Sequence, residues 1–113
     1  MQLFTLFPTA PAIAPGEVKA KHLSSTSITV SWDPLPPNSH NGVITKYTVY
    51  YYKQHSPRIS EQSIAVSVSN RQTGISNLSV YTDYNISVSA STSAGEGPRS
   101  SGIIVKTGEA GIS

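Results

Sequence analysis

Hydrophobic and polar residues alternate along several short segments of this chain, most clearly between Tyr84 and Ala90. Apolar residues occupy the even positions of this segment, and asparagine or serine occupies each odd position between them. A period of two, built from small and β-branched residues, predicts a half-buried antiparallel strand. Since no segment shows helical periodicity, the pattern favours an all-β protein.

The same alternation predicts seven strands in total, separated by turn signals such as Asn41-Gly42 and by a hairpin loop over 94–99. In the first strand, either His22 or Leu23 continues the inward face, depending on whether a bulge interrupts the alternation. Seven short strands at this spacing are typical of a two-sheet sandwich. The predicted strands are 17–23, 26–32, 43–54, 61–69, 70–75, 78–90 and 100–107.

Two registers compete in the longest predicted strand, 43–54. One turns its odd-numbered residues inward, beginning with Tyr47, while the other turns the even-numbered residues inward and buries Lys46. Burial of an unpaired ammonium group is costly, so we prefer the first register. That register sends Tyr50 and Tyr52 outward on the same side as Lys46.

The segment from Leu78 to Tyr84 resembles the tyrosine corner of Greek-key sandwiches, in which a tyrosine enters a strand after a short turn. In that motif the ring fills the end of the core, and its hydroxyl bonds to backbone a few residues upstream. We therefore expect Leu78 and Tyr84 in the core, with the hydroxyl bonded near Leu78. The alternation in the other strands adds Trp32 and Tyr47 to this core.

The composition excludes several classes of site. The 113 residues suffice for one domain, and the absence of cysteine excludes disulfides, thiolate zinc sites and a cysteine nucleophile. The net charge of +2 comes from dispersed residues without a basic stripe, which argues against nucleic-acid binding. No apolar run approaches the roughly 20 residues needed to span a bilayer, so we expect no membrane insertion by this segment.

No constellation of residues points to catalysis. His22, His40 and His55 are far apart and lack metal-ligand spacing, and no serine lies in a Gly-x-Ser-x-Gly motif. The six acidic residues form no paired set. We therefore expect no catalytic residue, no metal, no cofactor and no enzymatic activity.

Five motifs in order resemble a fibronectin type III domain: TSITVSWDP, GVITKYTVYY, LSVYTDYNISVSA, GEGPRSS and a closing VKT. The resemblance implies a seven-stranded Greek-key, immunoglobulin-like β-sandwich with a three-stranded sheet packed on a four-stranded sheet. One departure is Val80, where many members have proline. We expect residues 15–108 to form the domain, 1–14 a linker or disordered N-terminal segment, and 109–113 a C-terminal linker.

The resemblance also implies a module without chemistry of its own, usually one of several in tandem. Our favoured hypothesis is a protein-binding or spacer module in the extracellular region of a membrane-anchored or secreted protein, such as a receptor or adhesion protein. Its expected contacts are an unidentified protein partner and neighbouring domains. The alternatives are a structural repeat of an intracellular filament or scaffold, and an accessory domain of a secreted enzyme.

Two features are candidate sites on such a module. Asn77 and Asn85 each begin an N-glycosylation triplet, and glycan occupancy would separate the extracellular from the intracellular hypothesis. The loop at 94–99 reads AGEGPR and lacks the Arg-Gly-Asp tripeptide that some family members carry there. The candidate protein-contact face comprises Tyr50, Tyr52, Ile104 and Lys46, since exposed tyrosines are enriched at interfaces.

Overall fold

The computed structural model describes residues 9–36, 39–56 and 60–109, which form two antiparallel β-sheets packed face to face. The all-β sandwich predicted from the alternation is confirmed. None of these residues lies in a helix long and apolar enough to cross a membrane. The strands are β1 (Lys19–Ser24), β2 (Ser27–Ser31), β3 (Lys46–Lys53), β4 (Gln62–Ser67), β5 (Gln72–Ile75), β6 (Asp83–Thr92), β7 (Gly95–Glu96) and β8 (Ile103–Lys106).

The smaller sheet has the order β1-β2-β5, and its central strand is the most buried of the three. Ile28 and Val30 of β2 are fully buried. The β1–β2 pairing shifts register between His22 and Ser24. This irregularity leaves His22 exposed and Leu23 61% exposed, so neither of the two side chains enters the core.

The larger sheet has the order β4-β3-β6, and both β7 and β8 pair with the far side of β6. The prediction of four strands in this sheet was wrong by one, because the last strand is broken into two pieces. Gly97 and Pro98 fall in the break, where proline cannot donate to the ladder. The hairpin predicted over 94–99 is also displaced: the turn is at residues 93–94, and 95–96 already pair with β6.

The core lies between the two sheets and is closed by aromatic side chains. The Trp32 and Tyr47 rings meet at a centroid distance of 5.3 Å with a tilt of 58°, a geometry that aromatic pairs favour. Lys46 is exposed while Tyr47 is 3% exposed, so the charged group stays in water. The buried apolar residues are Ile28, Val30, Trp32, Leu35, Ile44, Tyr47, Val49, Val66, Ile75, Leu78, Tyr84, Ile86, Val88 and Ala90.

The corner before β6 is fixed by two buried hydroxyls. The Tyr84 hydroxyl accepts a hydrogen bond of 2.8 Å from the Ser79 amide. Thr107, which is 1% exposed, accepts one of 2.9 Å from the Thr82 amide and donates one of 2.7 Å to the Ser79 carbonyl. The amide and the carbonyl of Ser79 and the amide of Thr82 are therefore all hydrogen-bonded within the corner.

The segment from Thr9 to Pro15 lies across one end of the sandwich. The Thr9 amide bonds to the Asn41 carbonyl at 2.7 Å, and the Thr9 carbonyl accepts a bond of 2.7 Å from the Thr92 hydroxyl. The Ala12 amide bonds to the Ser39 carbonyl at 2.9 Å. This contact occupies part of the expected N-terminal linker, whose residues 1–8 lie outside the described residues, as do 110–113 of the C-terminal one.

Candidate protein-contact face

Alternate residues of β3, β6 and β8 form the outward surface of the larger sheet. Tyr52 of β3 lies opposite Asn85 of β6, and Ile104 of β8 lies opposite the same asparagine on its other side. Lys46 and Tyr50 occupy alternate positions on β3 and so point the same way as Tyr52. We call the surface formed by Lys46, Tyr50, Tyr52, Asn85 and Ile104 the outer face.

The side chains on this face differ in exposure. Lys46 is exposed and Ile104 is 50% exposed, while Tyr50 and Tyr52 are half-buried. A shallow depression of about 420 Å³ adjoins Tyr50 and Lys46 and is lined largely by polar groups. The surface is thus broad and open, a shape suited to contact with another macromolecule rather than to enclosing a small ligand.

A polar cluster organises the part of the outer face around Tyr50. The Tyr50 hydroxyl and the Ser89 hydroxyl both donate hydrogen bonds to the Glu96 carboxylate. Ser89 is fully buried although it points to the outside of the sheet. Because Glu96 belongs to β7, the broken last strand is what brings the carboxylate over these two hydroxyls.

Arg99 covers the Tyr50 ring. Its guanidinium carbon lies 3.5 Å from the ring centroid, within cation–π distance. The same guanidinium forms an ion pair of 2.7 Å with Glu61. Arg99 is in the segment between β7 and β8, so the break in the last strand also supplies this contact. The Tyr50 ring therefore packs beneath the ion pair of Arg99 and Glu61.

The cluster changes the acidity of its members. Partial burial alone would raise the pKa of the Glu96 carboxyl, but the hydrogen bonds from Ser89 and Tyr50 and the charges of Arg99 and Lys46 lower it below the ordinary value of 4.5. The pKa of the Tyr50 hydroxyl is raised, first by burial and then by its bond to Glu96. Near neutral pH, Glu96 therefore remains a carboxylate that accepts two hydrogen bonds.

The two glycosylation triplets occupy different environments. Asn77 is exposed in the corner loop with a backbone φ of 60°. Asn85 is half-buried, and its amide lies directly against Gly102: a methyl group there would come within 2.5 Å of the Asn85 Oδ1 atom. Asn77 is consequently the more accessible acceptor.

The core residues named from the sequence all lie inside the sandwich or its corner. The exposed fraction is 3% for Trp32 and Tyr47, 4% for Tyr84 and 9% for Leu78. The described residues contain no group of three side chains suited to hold a metal ion. His40 instead has its Nε2 atom 2.9 Å from the Leu35 carbonyl.

Sequence reasoning did not find the contacts of Glu96 and Arg99. The sequence places both residues in the predicted hairpin loop over 94–99, whereas in the structure they contact Tyr50 across the outer face. The outward register of Tyr50 did not signal these partners, because the hydroxyl of a partly exposed tyrosine can bond to water and only a buried one usually requires a protein partner. The identity of these partners depends on where the last strand breaks.

Comparison with known proteins agrees with this architecture. The model of the fibronectin type III domain matches residues 13–106. Human protein sidekick-1 is 37% identical over 91 residues, and rat phosphatidylinositol phosphatase PTPRQ is 40% identical over 101 residues. These matches cover 80% and 89% of this chain, but the chain spans only 4% of the length of either relative.

A solved structure gives the same result. The chicken CNTN1 FN1–FN3 domains superpose with a TM-score of 0.81 at 35% identity, covering 89% of this chain and 33% of the other. The family match, the order of the strands and the tyrosine corner agree with one another. The chain belongs to the fibronectin type III domain family.

Proposed function

We propose that this domain is a non-catalytic protein-binding or spacer module in the extracellular region of a cell-surface receptor or adhesion protein. The observation that carries the proposal is the outer face, where Tyr50 under Arg99 adjoins Tyr52, Lys46 and the half-exposed Ile104. Tyrosine and arginine are both enriched where proteins meet, because each offers a broad contact area with polar groups at its end.

The arrangement of Tyr50 favours binding with little loss of side-chain freedom. Its hydroxyl is bonded to Glu96 and its ring is stacked under Arg99. Ordering a flexible side chain at an interface costs about 0.5–1.5 kcal/mol, and this cluster is already ordered before a partner arrives. A partner with an apolar patch and an acidic group would match Ile104 and Lys46.

We assign no catalytic step to the module. The similarity to a relative named as a phosphatase covers 4% of that relative, so it does not transfer an activity to this chain. The acidic residues and histidines are dispersed along the sequence, without the convergent geometry that acid–base or metal chemistry needs.

Binding of the fluorescently labelled chain to intact cells of a surface-receptor panel tests the proposed contact. We expect the double substitution Tyr50→Ser and Tyr52→Ser to reduce binding to any positive cell line by at least about tenfold, the equivalent of about 1.4 kcal/mol. Val43→Ser is the matched control, since Val43 is 80% exposed but lies outside the outer face. Equal loss with both variants would show that the outer face is not the contact.

Secretion of the chain from animal cells tests the proposed location. We expect glycan on Asn77, measured by peptide mass spectrometry, and much lower occupancy on Asn85 because its amide lies against Gly102. Asn77→Gln is the control that should remove the modified peptide. A secreted chain without glycan at either asparagine would remove this support for an extracellular location.

A further inference from the structure

The free edges of the two sheets differ in how they are protected from pairing with another chain. An edge strand exposes unpaired amides and carbonyls, and proteins usually protect it with charges, proline, bulges or short length. β1 carries Lys19 and Lys21. β5 has only four residues and contains Gly74, and the β7–β8 edge is interrupted around Pro98.

β4, the remaining edge, lacks these protective features. It pairs with β3 on one side, and no further strand of the described residues pairs with its other side. The stretch 62–70 reads QSIAVSVSN, nine residues without a charge, a proline or a glycine. Its β-branched residues Ile64, Val66 and Val68 have high β-propensity. The absence of charge, proline and glycine favours pairing of this edge with an additional strand.

The direction of the free backbone groups follows from hydrogen bonds on the far side of the sheet. Val88 of β6 directs both its amide and its carbonyl to Ser100, away from β3. Because Val88 lies opposite Val49, Val49 must direct its own backbone groups toward β4. Val49 lies opposite Ile64, which therefore bonds back to β3, and the next residue, Ala65, points to the free edge.

We propose that β4 pairs antiparallel with β4 of a second copy of this chain, about a two-fold axis at Ala65. In this register Ala65 exchanges two backbone hydrogen bonds with Ala65 of the copy, and Ser63 lies opposite Ser67 of the copy. Ile64 lies opposite Val66 of the copy on the inner side. The two larger sheets then join into one continuous sheet.

Self-complementarity is the reason to choose a second copy over a foreign peptide. The two-fold axis keeps inward residues of both copies on the same side, so β-branched side chains face each other and serines face each other. No charge on β4 opposes its own counterpart. This pairing involves only the edge of the sheet and is independent of the proposed contact through the outer face.

Charge substitutions at Ala65 test both the dimer and its register. Ala65 is exposed, so the side chain can change without disturbing the core. A stable interface buries at least about 1,200 Å², and one pair of strands buries less. We therefore expect the unmodified 113-residue chain to dimerise only weakly and reversibly, at about 0.1–1 mM. Ala65→Lys and Ala65→Glu should each remain monomeric by sedimentation velocity, because like charges then face each other across the axis.

An equimolar mixture of the Ala65→Lys and Ala65→Glu chains should restore the dimer, since opposite charges then meet. Ser101→Lys is the matched control: it adds the same charge at an exposed position away from β4 and should dimerise like the unmodified chain. Without any substitution, the Ala65 amide should exchange its hydrogen more slowly at high than at low chain concentration.

Several results would overturn the proposal. They are a chain that stays monomeric at about 1 mM, a dimer that survives Ala65→Lys, a mixture that remains monomeric, or species larger than a dimer. Equal loss of the dimer in Ala65→Lys and Ser101→Lys would attribute the effect to net charge and equally reject the edge pairing.

Discussion

Tyr84 at the corner and Tyr50 on the outer face make similar contacts in different surroundings. Each has a packed ring and a bonded hydroxyl: Tyr84 accepts from the Ser79 amide, while Tyr50 donates to the Glu96 carboxylate. The Tyr84 side chain is 4% exposed, whereas Tyr50 is half-buried. The number of contacts is therefore a poor guide to what each residue contributes.

The difference lies in what water can do after a contact is lost. At the corner, a vacated amide has little access to solvent and bears its desolvation cost. On the outer face, water can replace the lost partner of a carboxylate, so little stability is lost. We infer that the corner mainly stabilises the fold and that the outer-face cluster mainly fixes the shape of a surface.

Trp32→Ala should give the largest effect, because it removes the buried ring that packs against Tyr47 in the core. We expect a loss of about 3–5 kcal/mol in the free energy of unfolding, measured by urea denaturation. Trp32→Phe is the control and should lose much less, since the indole Nε1 makes no hydrogen bond within the described structure. A small loss with Trp32→Ala would contradict the role of Trp32 as a core residue.

Tyr84→Phe should come next, because it keeps the ring and leaves the Ser79 amide without its partner. The expected loss is about 1–3 kcal/mol in the same denaturation experiment. Thr107→Val should cost a similar amount, about 1–3 kcal/mol, since it releases the Thr82 amide and the Ser79 carbonyl.

A double-mutant cycle sharpens this result. Both hydroxyls bond to Ser79, so the losses from Tyr84→Phe and Thr107→Val should be non-additive by about 0.5 kcal/mol or more. Strict additivity would mean that the two hydroxyls stabilise the corner independently.

Tyr50→Phe makes the same chemical change on the outer face and should cost no more than about 0.5 kcal/mol. The ring stays beneath Arg99, and water can replace the hydroxyl at Glu96. Comparison of its denaturation midpoint with that of Tyr84→Phe is a direct test of the contrast between the two regions. Equal losses would remove it.

The smallest expected effect is a pH dependence that originates at Glu96. Since the folded-state pKa of Glu96 is lowered, its contribution to stability is complete above the ordinary value of 4.5 and is lost as the pH falls through the folded-state pKa. Denaturation curves between about pH 6 and pH 3 should therefore show a slightly shallower decline in Glu96→Gln than in the unmodified chain. Identical slopes would indicate that Glu96 titrates normally.

The sequence predicted the parts of the fold in which side-chain periodicity and burial agree. The alternation from Tyr84 to Ala90 identified β6, and the charge of Lys46 selected a register for β3 in which Tyr47 is buried. The break between β7 and β8 could not be read in this way, because glycine and proline are equally compatible with a turn.

Because the position of that break was not predicted, the side-chain contacts across the outer face were not predicted either. The segment after β7 runs along β6, with the Gly97 and Ser100 amides bonded to that strand. The Arg99 side chain reaches Tyr50 from this segment, so a misplaced turn also misplaces its contacts. The alternation likewise places Thr107 at the end of the last strand. Its hydrogen bond to Ser79, 28 positions earlier in the chain, depends on how the chain folds.

The hydrogen bonds that hold the segment from Thr9 to Pro15 against one end of the sandwich have a mechanical consequence. The chain enters beside Thr92, at one end of β6, and leaves at Gly108, whose carbonyl is bonded to the Tyr81 amide beside the other end. Tension between neighbours in a longer chain would thus run along β6 and load the entry bonds of Thr9 and Ala12 first. Release of these bonds would allow the segment 9–15 to extend to about 20 Å while both sheets remain paired. This end of the domain would therefore lengthen before the sandwich unfolds.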